Sequence, residues 1–254
     1  MFKLVFFLWR RHDFSHEQYR DYYENIHAVL GSTIALPRAQ DFRRNYPLWP
    51  ADLLSLEKPA VFGMAPFDSM TELWHASRSN FDAQVATVTR SPVKEQMAED
   101  ELRFLDREQQ ILLVVDEVGA STKSPVSVGM KLVHYACRNR EIDSAEFRRI
   151  NEEKRVPRIA SQMKELLEYR RSYPLFDEPL SYVGGHHNPG RPDSATFPLD
   201  VIEEFWLPNM ERAGEALKLL NDGDEINDPL TSIPLLVSER RSDFGEQMAP
   251  VARY

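Results

Sequence analysis

Only one cysteine, Cys137, occurs in 254 residues. An internal disulfide framework is therefore excluded, and a reducing compartment is expected. Positive charge is also short: 31 Lys and Arg stand against 40 Asp and Glu, for a formal net charge of −9. That balance argues against nucleic acid and against anionic membrane surfaces as partners. Long apolar runs are missing too. The run Leu4–Trp9 in MFKLVFFLWRR is far too short to cross a bilayer. Its arginines follow it and no small-residue cleavage site appears, so a β-strand is expected there rather than a signal peptide, with a cytoplasmic chain as the default. GxGxxG, the P-loop, GxSxG, CxxC, HxH and HExxH are all absent, so no cofactor and no metal is expected. What remains is a chain with 42% hydrophobic and 28% charged residues, the composition of an ordinary globular protein. Its length suits one large domain or two small ones.

The stretch Ser15–Leu30, SHEQYRDYYENIHAVL, carries the strongest helical signal. Ser15 and Gln18 have the spacing of a capping box. Tyr19, Tyr23 and His27 then recur every four residues and share one face. Around this helix the strands Phe2–Trp9, Ala39–Leu48, Met70–His75 and Ile111–Asp116 are expected. Trp49–Asp68, with three prolines, reads as a long loop over an opening. Arg78–Thr89 and Pro92–Leu105 read as amphipathic helices. The order is β-α-β-β-α-β, a ferredoxin-like unit. Gly119–Ser127 is a linker by composition.

Past the linker the order returns. Lys3-Leu4-Val5 recurs as Lys131-Leu132-Val133, 128 positions on, and Ser15…Gln18-Tyr19 as Asp143…Glu146-Phe147 at the same offset. Arg43–Leu48 recurs as Arg170–Leu175, and Glu72-Leu73-Trp74 as Glu204-Phe205-Trp206. An internal duplication is inferred, with units at 1–118 and 129–241, a linker at 119–128 and a tail at 242–254. A single unit leaves one sheet face bare, so the two copies are expected to pack sheet to sheet as an α+β, pseudo-dimeric barrel, with helices outside and a cavity enclosed between the sheets.

The segments KLVFFLWRR, YRDYYENIHAVL, FDSMTELWHASRSNFDA and DELRFLDREQQILLVVDE resemble an EthD-type domain of the dimeric α/β-barrel superfamily. The second half resembles it more weakly. The resemblance implies an α+β barrel and enzymes that act, mostly without a cofactor, as cyclases, dehydratases, decarboxylases, isomerases or monooxygenases. It places the characteristic helix histidine at His27. In the second copy that position is Arg155, within EKRVPRI, where Pro157 is expected to interrupt the helix. A scaffold half, or one that binds anionic groups through Arg155, is the expectation.

Several side chains could carry chemistry. His27 titrates near neutrality in its ordinary state and could move a proton, although a merely hydrogen-bonded histidine explains the helix pattern as well. Tyr23 and Tyr22 could hold a phenolate or carbonyl, or simply pack. His75 and Trp74 are sent to opposite strand faces, so one of them at most lines a cavity. His134 stands where the first copy has Phe6 and could be a site residue. Arg44 and Arg171, beside Arg43 and Arg170 on repeated strands, could recognise a carboxylate or phenolate, or sit in surface ion pairs. His187, in the loop Gly184–Gly190, could reach a cavity mouth. These residues point to a cofactor-independent acid/base lyase acting on a small phenolic or aromatic compound in aromatic catabolism. The alternatives are a cofactor-free monooxygenase or an isomerase or cyclase, and an aromatic-ligand carrier. Homodimerisation is left open.

Overall fold

The computed structural model describes residues 1–32, 38–48, 67–119, 129–163, 165–176, 199–221, 226–227 and 232–241. Parts of the expected loop Trp49–Asp68, most of the linker, the segment carrying His187 and the tail lie outside them.

Eight antiparallel strands close into a barrel in the order β1-β3-β2-β8-β5-β7-β6-β4. The first half contributes β1 (Phe2–Leu8), β2 (Ala39–Pro47), β3 (Ser69–His75) and β4 (Ile111–Val118). The second contributes β5 (Met130–Ala136), β6 (Glu168–Pro174), β7 (Val201–Leu207) and β8 (Ile233–Arg241). Within each half the strand order is the same, β4-β1-β3-β2 and β8-β5-β7-β6, and the registers match, Phe6 facing Thr71 as His134 faces Glu203. The seams are β2 on β8, with Arg43 opposite Arg241, and β4 on β6, with Val115 opposite Pro174. No sheet edge is left open to pair with another chain.

Alternation along each strand divides the side chains between two environments. Val5, Phe7, Met70, Leu113, Val133, Tyr135 and Leu235 point into the barrel with Phe67 and Leu199. Toward one end the interior turns ionic. Lys3 Nζ lies 2.6 Å from Glu72 and 3.0 Å from Glu204, while Lys131 Nζ lies 3.1 Å and 2.6 Å from the same two carboxylates. Glu117 and Glu239 complete the shell of the two ammoniums. Where a cavity between the sheets is expected, the described residues form an apolar core and a buried salt-bridge lattice.

Helices cover the outer faces. In the first half α1 (His16–Tyr22) runs through a π-helical turn, Tyr23–His27, into the short α2 (Ala28–Leu30), beside α3 (Arg78–Val88) and α4 (Val93–Phe104). Ser15 closes the capping box with Gln18 as expected. In the second half α5 (Ser144–Ile150) runs through a second π-helical turn, Asn151–Arg155, into α6 (Val156–Gln162), with α7 (Met210–Asn221) beside it. The two π turns fall at matching positions. Pro157 does not break its helix: it directly follows the second π turn, as the second residue of α6, and the helix continues to Gln162.

Candidate active site

The cavity of interest lies on the helix-facing side of the first-half sheet, outside the barrel. It holds about 130 Å³. Phe6, Phe42, Leu73 and Leu112 form its sheet wall, and Phe81, Val85, Val88 and Met97 its helix wall. Its polar groups are His27, Tyr23, Thr71, Gln84, Glu101 and Gln110.

His27 is the last residue of the first π turn. Such a turn bulges the helix by one residue and often marks functional positions. The imidazole Nδ1 sits 2.6 Å from Asp100 Oδ2 on α4, and Tyr22 donates its hydroxyl to the other oxygen, Oδ1, at 2.9 Å. An ionised carboxylate only accepts, so the Asp100 contact assigns the proton to Nδ1 and leaves Nε2 as the basic nitrogen. The ring packs against Phe104, tilted by 48° with centroids 4.9 Å apart, and edge-on to Tyr23 at 5.0 Å. Beside it Glu101 is pushed above the usual carboxylate range by burial, which the nearby His27 and Arg107 only partly oppose.

Tyr23 lines the cavity, but its hydroxyl is engaged with Thr71 Oγ1 at 2.7 Å, and burial pushes the phenol well above its ordinary range. It remains a neutral hydroxyl. Tyr22 stands behind His27 on Asp100 rather than in the cavity.

The other expected positions lie elsewhere. Trp74 points into the barrel, with Lys3 Nζ 4.5 Å and the Arg43 guanidinium 4.6 Å from its ring. His75 faces the helix side against Phe81, centroids 5.5 Å apart, and is fully buried without lining the cavity. Desolvation lowers its imidazole to about 4, with a small opposing effect from the backbone of Arg38. Arg44 is forked onto Glu24 at 3.0 and 2.7 Å, and Tyr46 donates to the same carboxylate at 2.6 Å. Arg171 repeats this with Glu152 at 3.1 and 2.7 Å, joined by Tyr173 at 2.5 Å. Both arginines are committed to structural pairs, which removes them as anion receptors.

His134 and Arg155 meet in the second half, far from the cavity in sequence and on the other face of the barrel wall from the core. Glu203 receives Arg155 Nη1 at 2.5 Å, lies 2.8 Å from His134 Nδ1 and accepts the Tyr169 hydroxyl. The paired cations hold the Glu203 carboxyl far below its usual range despite burial. Arg155 is thus neutralised inside the fold, not presented to a ligand. His187 lies outside the described residues.

Asp100, Glu101, Gln84 and Gln110 were not anticipated. One signal was available: Met97, Asp100, Glu101 and Phe104 are spaced by three and four on α4, so two acids interrupt an otherwise apolar stripe, and a buried acid requires a partner. Among the described residues no three His, Cys, Asp or Glu side chains gather as a metal site.

Residues 11–108 match the model of the EthD domain family. No curated protein matches the sequence significantly. Among solved structures, an anthrone oxidase-like protein shares the fold over 98% of this chain and 95% of its own, at 8% identity and a TM-score of 0.54. A candidate monooxygenase from Fusobacterium nucleatum subsp. nucleatum does so over 95% and 94%, at 7% identity and a TM-score of 0.52. A candidate chlorite dismutase aligns over 97% of each chain, at 10% identity and a TM-score of 0.49. The chain is an α+β protein with a closed, eight-stranded antiparallel barrel, and no helix among the described residues is long and apolar enough to cross a membrane.

Proposed function

We propose that the first-half cavity is the active site of a cofactor-independent acid/base lyase acting on a small phenol. The observation that carries this reading is the 2.6 Å contact of His27 with Asp100 at the edge of a largely apolar cavity. His27 Nε2 takes the phenolic proton, and Asp100 steadies the resulting imidazolium. The phenolate then pushes an electron pair through the ring and expels a benzylic hydroxyl, which takes up a proton and departs as water to leave a quinone methide. CO2 or a small aldehyde, which leaves its bonding pair behind, departs from the neighbouring side-chain carbon once the quinone methide is there to accept that pair. The proton returns from His27 or from Glu101, whose raised affinity for protons suits a donor. Apolar walls keep solvent from the quinone-methide-like intermediate. A dry cavity of about 150 Å³ takes one benzene ring, so one of about 130 Å³ limits the substrate to a single ring.

The same reading treats the chain as two diverged copies of one ferredoxin-like unit, 1–118 and 129–241, with the second as scaffold. Supporting it are the shared strand order, the paired π turns and the repeated Glu-Arg-Tyr trios. A second reading, a cofactor-free monooxygenase in which the substrate anion reduces O2, draws on the names of the two fold neighbours with TM-scores of 0.54 and 0.52.

The test is a mass-spectrometric screen of single-ring phenolics, with chelator and without added cofactor, in air and under nitrogen. Loss of water, CO2 or formaldehyde in both atmospheres, abolished in His27→Ala, is the expected result. Oxygen gained in air alone would replace the lyase with the monooxygenase, and saturable binding without conversion would make the protein a carrier.

A further inference from the structure

Two amides line the cavity with buried atoms that nothing in the protein satisfies. Gln84, on α3, is 5% exposed and its Oε1 has no hydrogen-bond partner. Gln110, immediately before β4, has an Nε2 equally without one. Several other buried polar atoms lacking hydrogen bonds face an opposite charge. Asp68 Oδ1 lies 2.7 Å from His16, Glu72 Oε1 2.6 Å from Lys3, and Glu204 Oε1 2.6 Å from Lys131. The two glutamines have no such compensation. A buried amide atom left unpaired destabilises a fold, and leucine or methionine would fill the same wall without that cost.

We infer that Gln84 and Gln110 are specificity-determining residues, which select a single-ring ligand carrying both a hydrogen-bond donor and an acceptor oxygen. This rests on the cavity being the ligand site. Gln84 Oε1 accepts, so the ligand must donate to it, as a neutral ring hydroxyl does on binding, before the hydroxyl turns its proton to His27. Gln110 Nε2 donates, so the ligand must present a carbonyl, carboxyl or ether oxygen. One amide comes from the helix layer and the other from the start of a strand, so the two substituents are read from the two walls that enclose the ring. A ring lacking either group leaves a buried amide atom unpaired in the complex, the situation that hydrogen-bonding sites reject most strongly. The recognised class is therefore a phenol with a second, oxygen-bearing substituent, rather than any hydrocarbon of suitable size.

The experiment is calorimetric titration of four matched rings: 4-hydroxyacetophenone, acetophenone, 4-ethylphenol and ethylbenzene. They would be titrated into the wild type, Gln84→Leu and Gln110→Leu, with melting temperatures recorded for all three. The wild type is expected to bind 4-hydroxyacetophenone about tenfold or more tighter than either ring with one polar group. Gln84→Leu should erase the preference over acetophenone, and Gln110→Leu the preference over 4-ethylphenol. Both variants should melt about 2–4 °C higher without ligand, because each removes an unpaired amide. Glutamines that merely support the fold would give the reverse, a lower melting temperature with the ligand ranking intact, and would overturn the inference. Methionine at each position serves if leucine does not fold. Four rings bound equally by the wild type would overturn the glutamine roles and leave the cavity as a binding site. Binding of none would overturn both.

Discussion

The two halves build one backbone plan and then use the space over the sheet in opposite ways. At matched positions the first half has Phe6, Tyr23, His27, Phe42 and Thr71, and the second has His134, Asn151, Arg155, Tyr169 and Glu203. The first set borders a cavity of about 130 Å³. Four of the second set, His134, Arg155, Tyr169 and Glu203, knit into a buried ion-pair cluster. Neither the π turn nor the strand register changes between them. What changes is whether the side chains across the gap satisfy each other. A carboxylate at 203 where the first half has Thr71 holds the arginine at 155 and fills the gap; a threonine leaves it open and frees the helix position for an imidazole partnered from behind by Asp100. A pocket of this kind is made by removing a buried charge and its partner together.

The comparison breaks most visibly at the helix position itself. His27→Ala is expected to lower kcat/KM on the screened substrate by roughly 10²–10⁴-fold, the ordinary contribution of a general base. Arg155→Ala should leave the turnover of the folded enzyme within about twofold. A loss of turnover as large in Arg155→Ala, with native circular dichroism, would show that the second half takes part in the chemistry.

Stability should answer in the other direction. Arg155→Ala strands Glu203 in a buried site and is expected to cost about 3–5 kcal/mol in denaturant unfolding. His27→Ala leaves Asp100 the Tyr22 hydroxyl as a remaining partner and should cost less, about 1–2 kcal/mol. Equal costs would mean that both helix positions are structural and would remove the contrast between the halves.

These contrasts also show how much could be read from residues alone. The barrel strands were legible because aromatic and β-branched residues mark them at repeated intervals, and Lys3-Leu4-Val5 beside Lys131-Leu132-Val133 revealed the second set. His27 stood out through helical spacing. Asp100 did not, because it is 73 residues away and its role is fixed only when α4 packs beside the π turn. Arg44 and Arg171, read as candidate receptors, turn to the helix side for a related reason. Alternation says that neighbours face opposite ways, but which face meets the core depends on how the two sheets close. Among the described residues the barrel interior holds the core and the salt bridges, and the cavity lies on the helix side.

A third difference lies at the end of β3, where His75 corresponds to Leu207. Burial lowers the His75 imidazole to about 4, against an ordinary value near 6.5. With the folded value below the unfolded one, its neutral form is favoured above pH 6.5 and stability is lost as pH falls from there to about 4. The loss is on the order of 2–3 kcal/mol. His75→Leu should remove that part of the acid sensitivity while leaving stability at pH 8 nearly unchanged. Parallel unfolding profiles for the two proteins between pH 7 and 4 would show that the ring is not held neutral.

The smallest effect should fall where the halves agree. Glu24 anchors Arg44 and Tyr46, and Glu152 anchors Arg171 and Tyr173, with the same partners and closely similar distances. Both carboxyls are held below their usual range by these hydrogen bonds and by the arginine charge, which outweigh desolvation. Each therefore contributes stability at neutral pH that fades as the medium is acidified through the carboxylate range. Glu24→Gln and Glu152→Gln should each cost about 1–2 kcal/mol at pH 7, agree within about 0.5 kcal/mol, and converge on the wild type in acid. Neither should alter ligand binding. A Glu24→Gln variant that loses ligand affinity, while Glu152→Gln does not, would mean that this trio also serves the cavity through the π turn that begins at Tyr23, and the boundary between shared scaffold and diverged site would have to be drawn one helical turn nearer the N-terminus.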